Sequence, residues 1–489
     1  MKSFARSVAT ITAFAVVTRG IGFVFRIFMS RSLGAEMMGI YQVAFSLFIV
    51  LLAVVSSGVP LVVSARSAAL APPHRNSLVT AGFLISAAIA VGVCVTVFAL
   101  KKPLSHLFAD ARSMNVLLLL LPAVLFSALG AAFQGAAWGG QSYGAVSGAE
   151  LVEQLVRVTA CVVGFLFFRD ALQRATVAAA SLSLACLVSS GLMVVLYQKK
   201  GGRLAPFRAQ IRPLAAAAAP ISVMRVLSCL VNSLVAIIIP ARLMAAGWSP
   251  ENAMTAYGAS VGMAMSLVTM PLTLTGSLSM ALVPELSGAL SRGHTVTVKS
   301  RVERAVAFAG VVSLTVMPVY IGFGRELGML LYGSAEAGIF LRRCAILMLP
   351  LAIEQITSSM MNSLGLERKA FVNFLCGSAA LLVCLWFLPA VMGMDALIVG
   401  MTVSYALSAL LHLLSIRKKV GIRFTFLRTA GLLALFAVPA SALGLLVHRL
   451  TAAWGNAATT LTGAFSVLLV MFGLMLCFDV ISFAHRKSI

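Results

Sequence analysis

The sequence predicts an all-α polytopic membrane protein of about fourteen transmembrane helices. Its arrangement is two six-helix lobes in a parallel pseudo-twofold repeat plus two C-terminal helices. Three observations lead there. Of 489 residues, 61% are hydrophobic and only 10% charged, with a mean hydropathy of +1.02, more apolar surface than water accommodates. Apolar runs of crossing length follow one another with short polar breaks. They are continuous rather than alternating, which selects helices over a barrel.

The spans, in order, are 8–30, 40–64, 77–100, 114–136, 148–168, 175–197, 214–241, 254–282, 305–323, 343–364, 370–390, 395–416, 428–447 and 459–482. The N-terminal MKSFAR and its apolar run resemble a signal peptide, but Arg19 interrupts the run and no small-residue cleavage site closes it, so it reads as an uncleaved first helix. With the N-terminus inside, the cytoplasmic segments hold 22 Lys and Arg, the external loops 11, and the spans the remaining four: Arg19, Arg26, Arg157 and Arg225. That bias puts both termini in the cytoplasm. The net charge of +23 is then explained by basic cytoplasmic loops facing anionic membrane lipids, with no nucleic-acid partner.

The two densest basic linkers follow spans 6 and 12 and divide the chain into an N-lobe (1–198), a linker (199–213), a C-lobe (214–416) and a last segment (417–489) that carries a basic linker and spans 13 and 14. Spans 4 and 10 each place an amide twelve residues after a proline: Pro122 to Gln134, and Pro350 to Asn362. Arg31 and Tyr41 flank one hairpin as Arg242 and Tyr257 flank another. An even number of spans per copy makes the repeat parallel, with a cavity between the lobes.

Arginines inside an apolar span are costly unless they face water or a partner. Arg19 and Arg26 are seven residues apart, on one helical face and about 10 Å apart along the axis. Arg225 in span 7 begins a stripe through Ser228, Cys229 and Asn232, which fits either a cationic cavity wall or a helix–helix hydrogen-bond seam. In span 5, Glu150, Glu153 and Arg157 share a face, and the Glu153–Arg157 spacing permits an intrahelical ion pair. Glu354 stands alone in span 10 and suits either a proton or sodium site or a counter-ion for Arg225 or Arg19. Prolines 60, 122, 271, 318 and 350 fall inside spans, where they kink or hinge helices.

No enzyme pattern emerges. The six histidines do not cluster, no phosphate-binding loop with its lysine is present, and none of the eight cysteines forms a CxxC or CxxH pair. The chain therefore reads as a non-enzyme with no cofactor, disulfide framework or metal site. Mid-span arginines outnumber the carboxylates Glu150, Glu153 and Glu354, and guanidinium forks match phosphate or pyrophosphate.

The stretch "RGIGFVFRIFMSRSLGAEMMGIYQ", with "GVPLVVSARSA" ending span 2, resembles the polysaccharide-transporter branch of the multidrug/oligosaccharidyl-lipid/polysaccharide exporter superfamily, and within it the sporulation-associated flippases of lipid-linked oligosaccharides. The resemblance implies flipping of undecaprenyl-pyrophosphate-linked glycans by alternating access, with a role in cortex peptidoglycan in sporulating bacteria. It implies that Arg19 and Arg26 contact the substrate. The residues themselves add Arg225, Asn232 and Gln134 as candidate substrate contacts, and Glu354, Glu150 and Glu153 as candidate coupling or counter-ion residues for H+ or Na+. Related lipid II flippases carry an Asp directly after the second first-span arginine and an arginine in span 2. Here Ile27 follows Arg26, and span 2 has no arginine before Arg66. The flippase class is implied without its cargo. Two alternatives stay open: a cation-coupled multidrug exporter of the same superfamily, and a non-transporting membrane scaffold for cell-wall synthesis.

Overall fold

Glycine and proline decide where the apolar runs bend. In the computed structural model, which describes residues 2–67, 70, 72–292, 294–421, 426–451 and 456–477, helix α1 (Lys2–Ser56) is broken at Gly34, with φ 75° and ψ 173°. Only glycine adopts that conformation without a steric cost. The break folds the chain back: Arg26 and Gln42 are hydrogen-bonded at 3.1 Å, whereas a straight helix would hold them about 24 Å apart. Predicted spans 1 and 2 are thus the two arms of α1, the second continued by α2 (Gly58–Ser67).

Next come α3 (Pro72–Ala99), the short α4 (Lys101–Ser105), α5 (Arg112–Gly139), α6 (Tyr143–Phe167), α7 (Ala171–Lys199) and α8 (Arg208–Ala245). Asp170 caps α7 by accepting from the backbone N–H groups of Leu172 and Gln173, both at 3.1 Å. Predicted span 8 is segmented into α9 (Pro250–Tyr257), a π-helical stretch Gly258–Ala264, α10 (Met265–Thr269) and α11 (Leu272–Ser291). Pro271 sits at the break, where the axis bends by 54°. The remainder is α12 (Thr295–Tyr332), α13 (Ala335–Cys344), a 3-10 turn Ala345–Leu347, α14 (Met348–Ser363), α15 (Glu367–Phe387), α16 (Pro389–Met392), α17 (Asp395–Val420), α18 (Phe426–Leu450) and α19 (Asn456–Cys477). Left-handed glycines end α12 (Gly333, φ 67°) and α17 (Gly421, φ 70°).

No strand occurs among the described residues. Nine of their helices are long and apolar enough to cross a membrane, ten if the pair bent at Pro271 counts as one span. The difference from fourteen has physical sources. The two arms of α1 count as one with α2, α14 spans only 16 residues, α6 concentrates Glu150, Glu153 and Arg157, and in α18 only the shorter stretch Leu435–Leu450 is counted. The chain is a multi-pass membrane protein. The end of predicted span 14 and the terminal pair Arg486 and Lys487 lie outside the described residues, as does Arg423 of the second basic linker.

The chain forms two compact units, Met1–Met244 with Trp248–Gly258, and Ala245–Gly247 with Ala259–Ile489. The first unit runs past residue 198 because segment 199–213 and the start of α8 are tied to it. Leu214 and Ala218 are buried in a cluster with Val59, Val63, Leu78 and Phe133. The Gly58 N–H donates to Ser222 Oγ at 3.1 Å, and a Cβ at Gly58 would overlap the Ala218 carbonyl. A second close approach joins the second arm of α1 to α9, where Gly39 lies against Met254 and Gly258 against the Ala35 carbonyl.

The second unit buries Leu286, Val298, Val302, Ala309, Met361 and Ile416, drawn from α11, α12, α14 and α17. The buried ring of Phe323 on α12 fits against Gly444 of α18 and Gly463 of α19, and meets His448 edge-on at 5.5 Å.

Candidate functional site

The first arm of α1 carries Arg19 and Arg26, and nothing packs on the glycines beside them. A Cβ at Gly20 or Gly22 would meet no atom within 4 Å. Arg19 is exposed and Arg26 half-buried. Arg26 donates from Nη2 to Gln42 Oε1 at 3.1 Å, so the fold-back at Gly34 supplies its partner from eight residues beyond the kink.

The neighbouring residue, Tyr41, holds a second interior arginine. Arg157 of α6 donates from Nη2 to the Tyr41 hydroxyl at 3.0 Å, with its guanidinium 5.1 Å from the Phe25 ring centroid and 6.0 Å from that of Phe45. Phe25 and Tyr41 are buried, and Tyr41 stacks on Phe45 at 5.8 Å. Adjacent residues of one arm thus anchor Arg26 and Arg157. Sequence reasoning used Tyr41 only as a repeat marker and missed Gln42, Phe25 and Phe45. Gln42 reaches Arg26 through the fold-back, and Tyr41, Phe25 and Phe45 meet Arg157 across the packing of α1 on α6.

The expected Glu153–Arg157 ion pair does not form. No ion pair among the described residues includes Glu153. Aromatic faces and a phenol satisfy Arg157 instead, leaving its Nε buried without a hydrogen-bond partner. Glu153 is half-buried and faces Ser189 of α7, and Glu150 is exposed one turn away.

On α8, Arg225 and Asn232 are exposed. Ser228 donates to the Met224 carbonyl at 3.1 Å and Asn232 Nδ2 to the Ser228 carbonyl at 3.4 Å. These hydrogen bonds of the stripe stay within its own helix, and the buried Cys229 packs on Val50 and Ala53 through apolar contact. Of the two readings, the helix–helix hydrogen-bond seam is not what these side chains build. Gln134 is half-buried on α5, beside Gly135, whose Cα leaves room for Pro60; Asn362, its counterpart in the expected repeat, is exposed at the end of α14.

In the second unit Glu354 is half-buried on α14, and no ion pair among the described residues includes it. Its helix bears a polar ladder that sequence reasoning missed. Thr275 of α11 bonds Gln355 Oε1 at 2.6 Å, and Thr357 lies 3.3 Å from Nδ1 of the buried His412 on α17. The mid-span position of His412 was the available signal. Among the described residues, no three His, Cys, Asp or Glu side chains gather as a metal site.

An ion-pair cluster stands at the other end of the α1 fold-back: Arg112 bonds Glu36 and, at 2.7 Å, Asp110. It fastens the start of α5 to the second arm just beyond Gly34.

Comparison with known proteins agrees with this architecture. Stage V sporulation protein B of Bacillus subtilis (strain 168) is 26% identical over 400 residues, covering 77% of this chain and 76% of that protein. Sporulation protein YkvU of the same organism is 20% identical over 438 residues, covering 86% and 97%. Among solved structures, the lipid II flippase MurJ in an inward closed conformation matches with a TM-score of 0.75 at 11% identity, over 96% of this chain and 99% of that one. An inward-facing multidrug resistance transporter of the MATE family in the MOP superfamily matches with a TM-score of 0.68 at 13% identity, over 85% and 98%. At such identities the structural likeness is one of fold. The sequence profile of the family described as "Polysaccharide biosynthesis protein" matches residues 4–290. The chain belongs to the polysaccharide biosynthesis protein family.

Proposed function

We infer that this protein is a flippase that moves an undecaprenyl-pyrophosphate-linked oligosaccharide or peptidoglycan precursor across the cell membrane, with both termini in the cytoplasm. The observation that carries the reading is the open face of α1, where Arg19 and Arg26 flank a glycine with free space beside it. Two guanidinium groups two turns apart suit a pyrophosphate, because each fork grips phosphate oxygens in bidentate fashion. Exposed Arg225 and Asn232 on α8 and half-buried Gln134 complete the polar set. The reading gains support from a relative named for sporulation and a fold neighbour that flips lipid II. The spore cortex or the cell wall is the destination it implies.

In the mechanism we infer, the N-lobe, carrying segment 199–213 and the start of α8 with it, rocks against the rest of the C-lobe up to residue 416, and the site opens alternately to each side. The phosphates ride on the arginines while the polyprenyl tail stays in the bilayer, beside the helices of 417–489. No covalent step is required. The experiment is a flipping assay in vesicles carrying the full chain, comparing lipid II with other polyprenyl-linked sugars. At least one lipid-linked glycan should cross faster than in protein-free vesicles, with Arg19→Ala and Arg26→Ala each slowing it. Full activity in both variants ends the pyrophosphate role.

A second reading, a cation-coupled drug exporter, draws on Glu354, a half-buried carboxylate on α14 in no ion pair among the described residues. Growth protection against cationic dyes, lost in Glu354→Gln, would favour it over the flippase.

A further inference from the structure

A cavity of about 280 Å³, with no residue of α1 in its lining, lies where α3 begins and α5 and α7 end. The charge count assigns this end to the cytoplasm. Its walls carry Arg75 at the start of α3, Lys200 just after α7, Ser142 in the α5–α6 turn, and the apolar or aromatic Phe133, Met193 and Tyr197. No carboxylate lines it.

The side chains are held in place rather than splayed into solvent. Tyr197 donates its hydroxyl to Asn76 Oδ1 at 2.6 Å and tilts against Phe133 at 5.2 Å. Lys200 bonds the Ser142 hydroxyl, and Gly202 packs flat on the Tyr197 ring, where a Cβ would overlap. Segment 199–213 is pinned over α3 by the Ala205 N–H donating to Thr80 Oγ1 at 3.1 Å and by Ser77 bonding the Pro206 carbonyl. In this frame Arg75 keeps its Nε buried and without a hydrogen-bond partner. A buried N–H of a charged group left unmet costs free energy that an acceptor would recover.

We propose that this cavity is a binding site for a phosphate group, gripped by Arg75 and Lys200, with the apolar wall receiving the carbon skeleton that bears the phosphate. Two cations lining one cavity, with no acid among its lining residues to neutralise them, select an anion. The aromatic and methionine wall favours a phosphate ester over the bare ion. An anionic phospholipid headgroup of the cytoplasmic leaflet and a soluble phosphate share this chemistry. The site uses none of the residues assigned to flipping, so its failure would leave that reading intact.

The test uses the full chain in nanodiscs of phosphatidylcholine alone, or with phosphatidylglycerol, followed by native mass spectrometry after release. The first arm counts retained phosphatidylglycerol. The second adds inorganic phosphate to the phosphatidylcholine discs. Arg75→Gln and Lys200→Gln are each expected to lower retention by about tenfold, the worth of one charge-assisted contact, while Arg417→Gln with Lys418→Gln on α17 retains the wild-type level. A loss confined to the first arm identifies a lipid headgroup, and a loss confined to the second identifies soluble phosphate. Equal retention by wild type and both cavity variants in both arms overturns the proposal, as does an equal loss in the α17 control. Lys200 is exposed, so Lys200→Gln keeps the test decisive if Arg75→Gln does not fold.

Discussion

Arg26 and Gln42, sixteen residues apart, are joined at 3.1 Å because the chain doubles back at Gly34. The bond fixes the more buried of the two α1 arginines against the second arm. A hydrogen bond to a charged group is worth about 1.5–3 kcal/mol, so Gln42→Leu should lower the unfolding temperature of the purified protein in detergent, and Gln42→Glu should preserve or raise it. Equal melting of Gln42→Leu and wild type would show the contact to be dispensable.

Water access to the arginine face can be read with thiols. In a background stripped of the eight native cysteines, Arg19→Cys should react quickly with a membrane-impermeant thiol reagent, and Arg26→Cys more slowly because that position is half-buried. Added polyprenyl pyrophosphate should protect both. Inert thiols at both positions would mean that this face meets lipid, and would favour the scaffold alternative.

Glycines in one chain should respond oppositely to the same substitution. Gly22→Ala adds a methyl group into open space and should leave the unfolding temperature unchanged or raise it, since alanine is favoured by about 0.5–1 kcal/mol in a helix. Gly258→Ala would drive its Cβ into the Ala35 carbonyl and should cost about 1–3 kcal/mol as α1 and α9 separate. Thermal unfolding of the two variants side by side decides it, and a neutral Gly258→Ala would contradict the tight approach.

The Arg157 nest can be dissected by paired changes. Tyr41→Phe removes one acceptor and should cost about 1–3 kcal/mol. Phe25→Leu removes the ring beneath the guanidinium, worth about 0.5–2 kcal/mol. In the double variant the losses should not add, because both residues meet the same group. Additive losses in chemical denaturation would show that they act separately.

The helical class and the order of its elements were legible in the apolar runs, since a bilayer forces each run to satisfy its own backbone. The arginines stood out for the same reason: charge is conspicuous in oil. Their partners were hidden. Gln42 and Tyr41 are ordinary residues in an apolar arm; the turn at Gly34 brings Gln42 to Arg26, and the packing of α6 on α1 brings Arg157 to Tyr41. The Glu153–Arg157 pairing failed because helical spacing permits a contact without excluding a better one across helices. Thr275–Gln355 and Thr357–His412 likewise join helices that are far apart in sequence. The segmentation of span 8 had one visible cause, Pro271, while the π-helical stretch at Gly258–Ala264 had none in the hydropathy pattern.

The approach of Gly39 and Gly258 is made by main chain on main chain. Parting it would free no side-chain rotamers there, and restoring it would freeze none, so the usual entropic penalty of re-forming a packed seam is largely missing. What holds it is short-range dispersion, which vanishes within a small separation. Such a clasp is brittle and reusable: it lets go over a short travel and can shut again without searching for its fit.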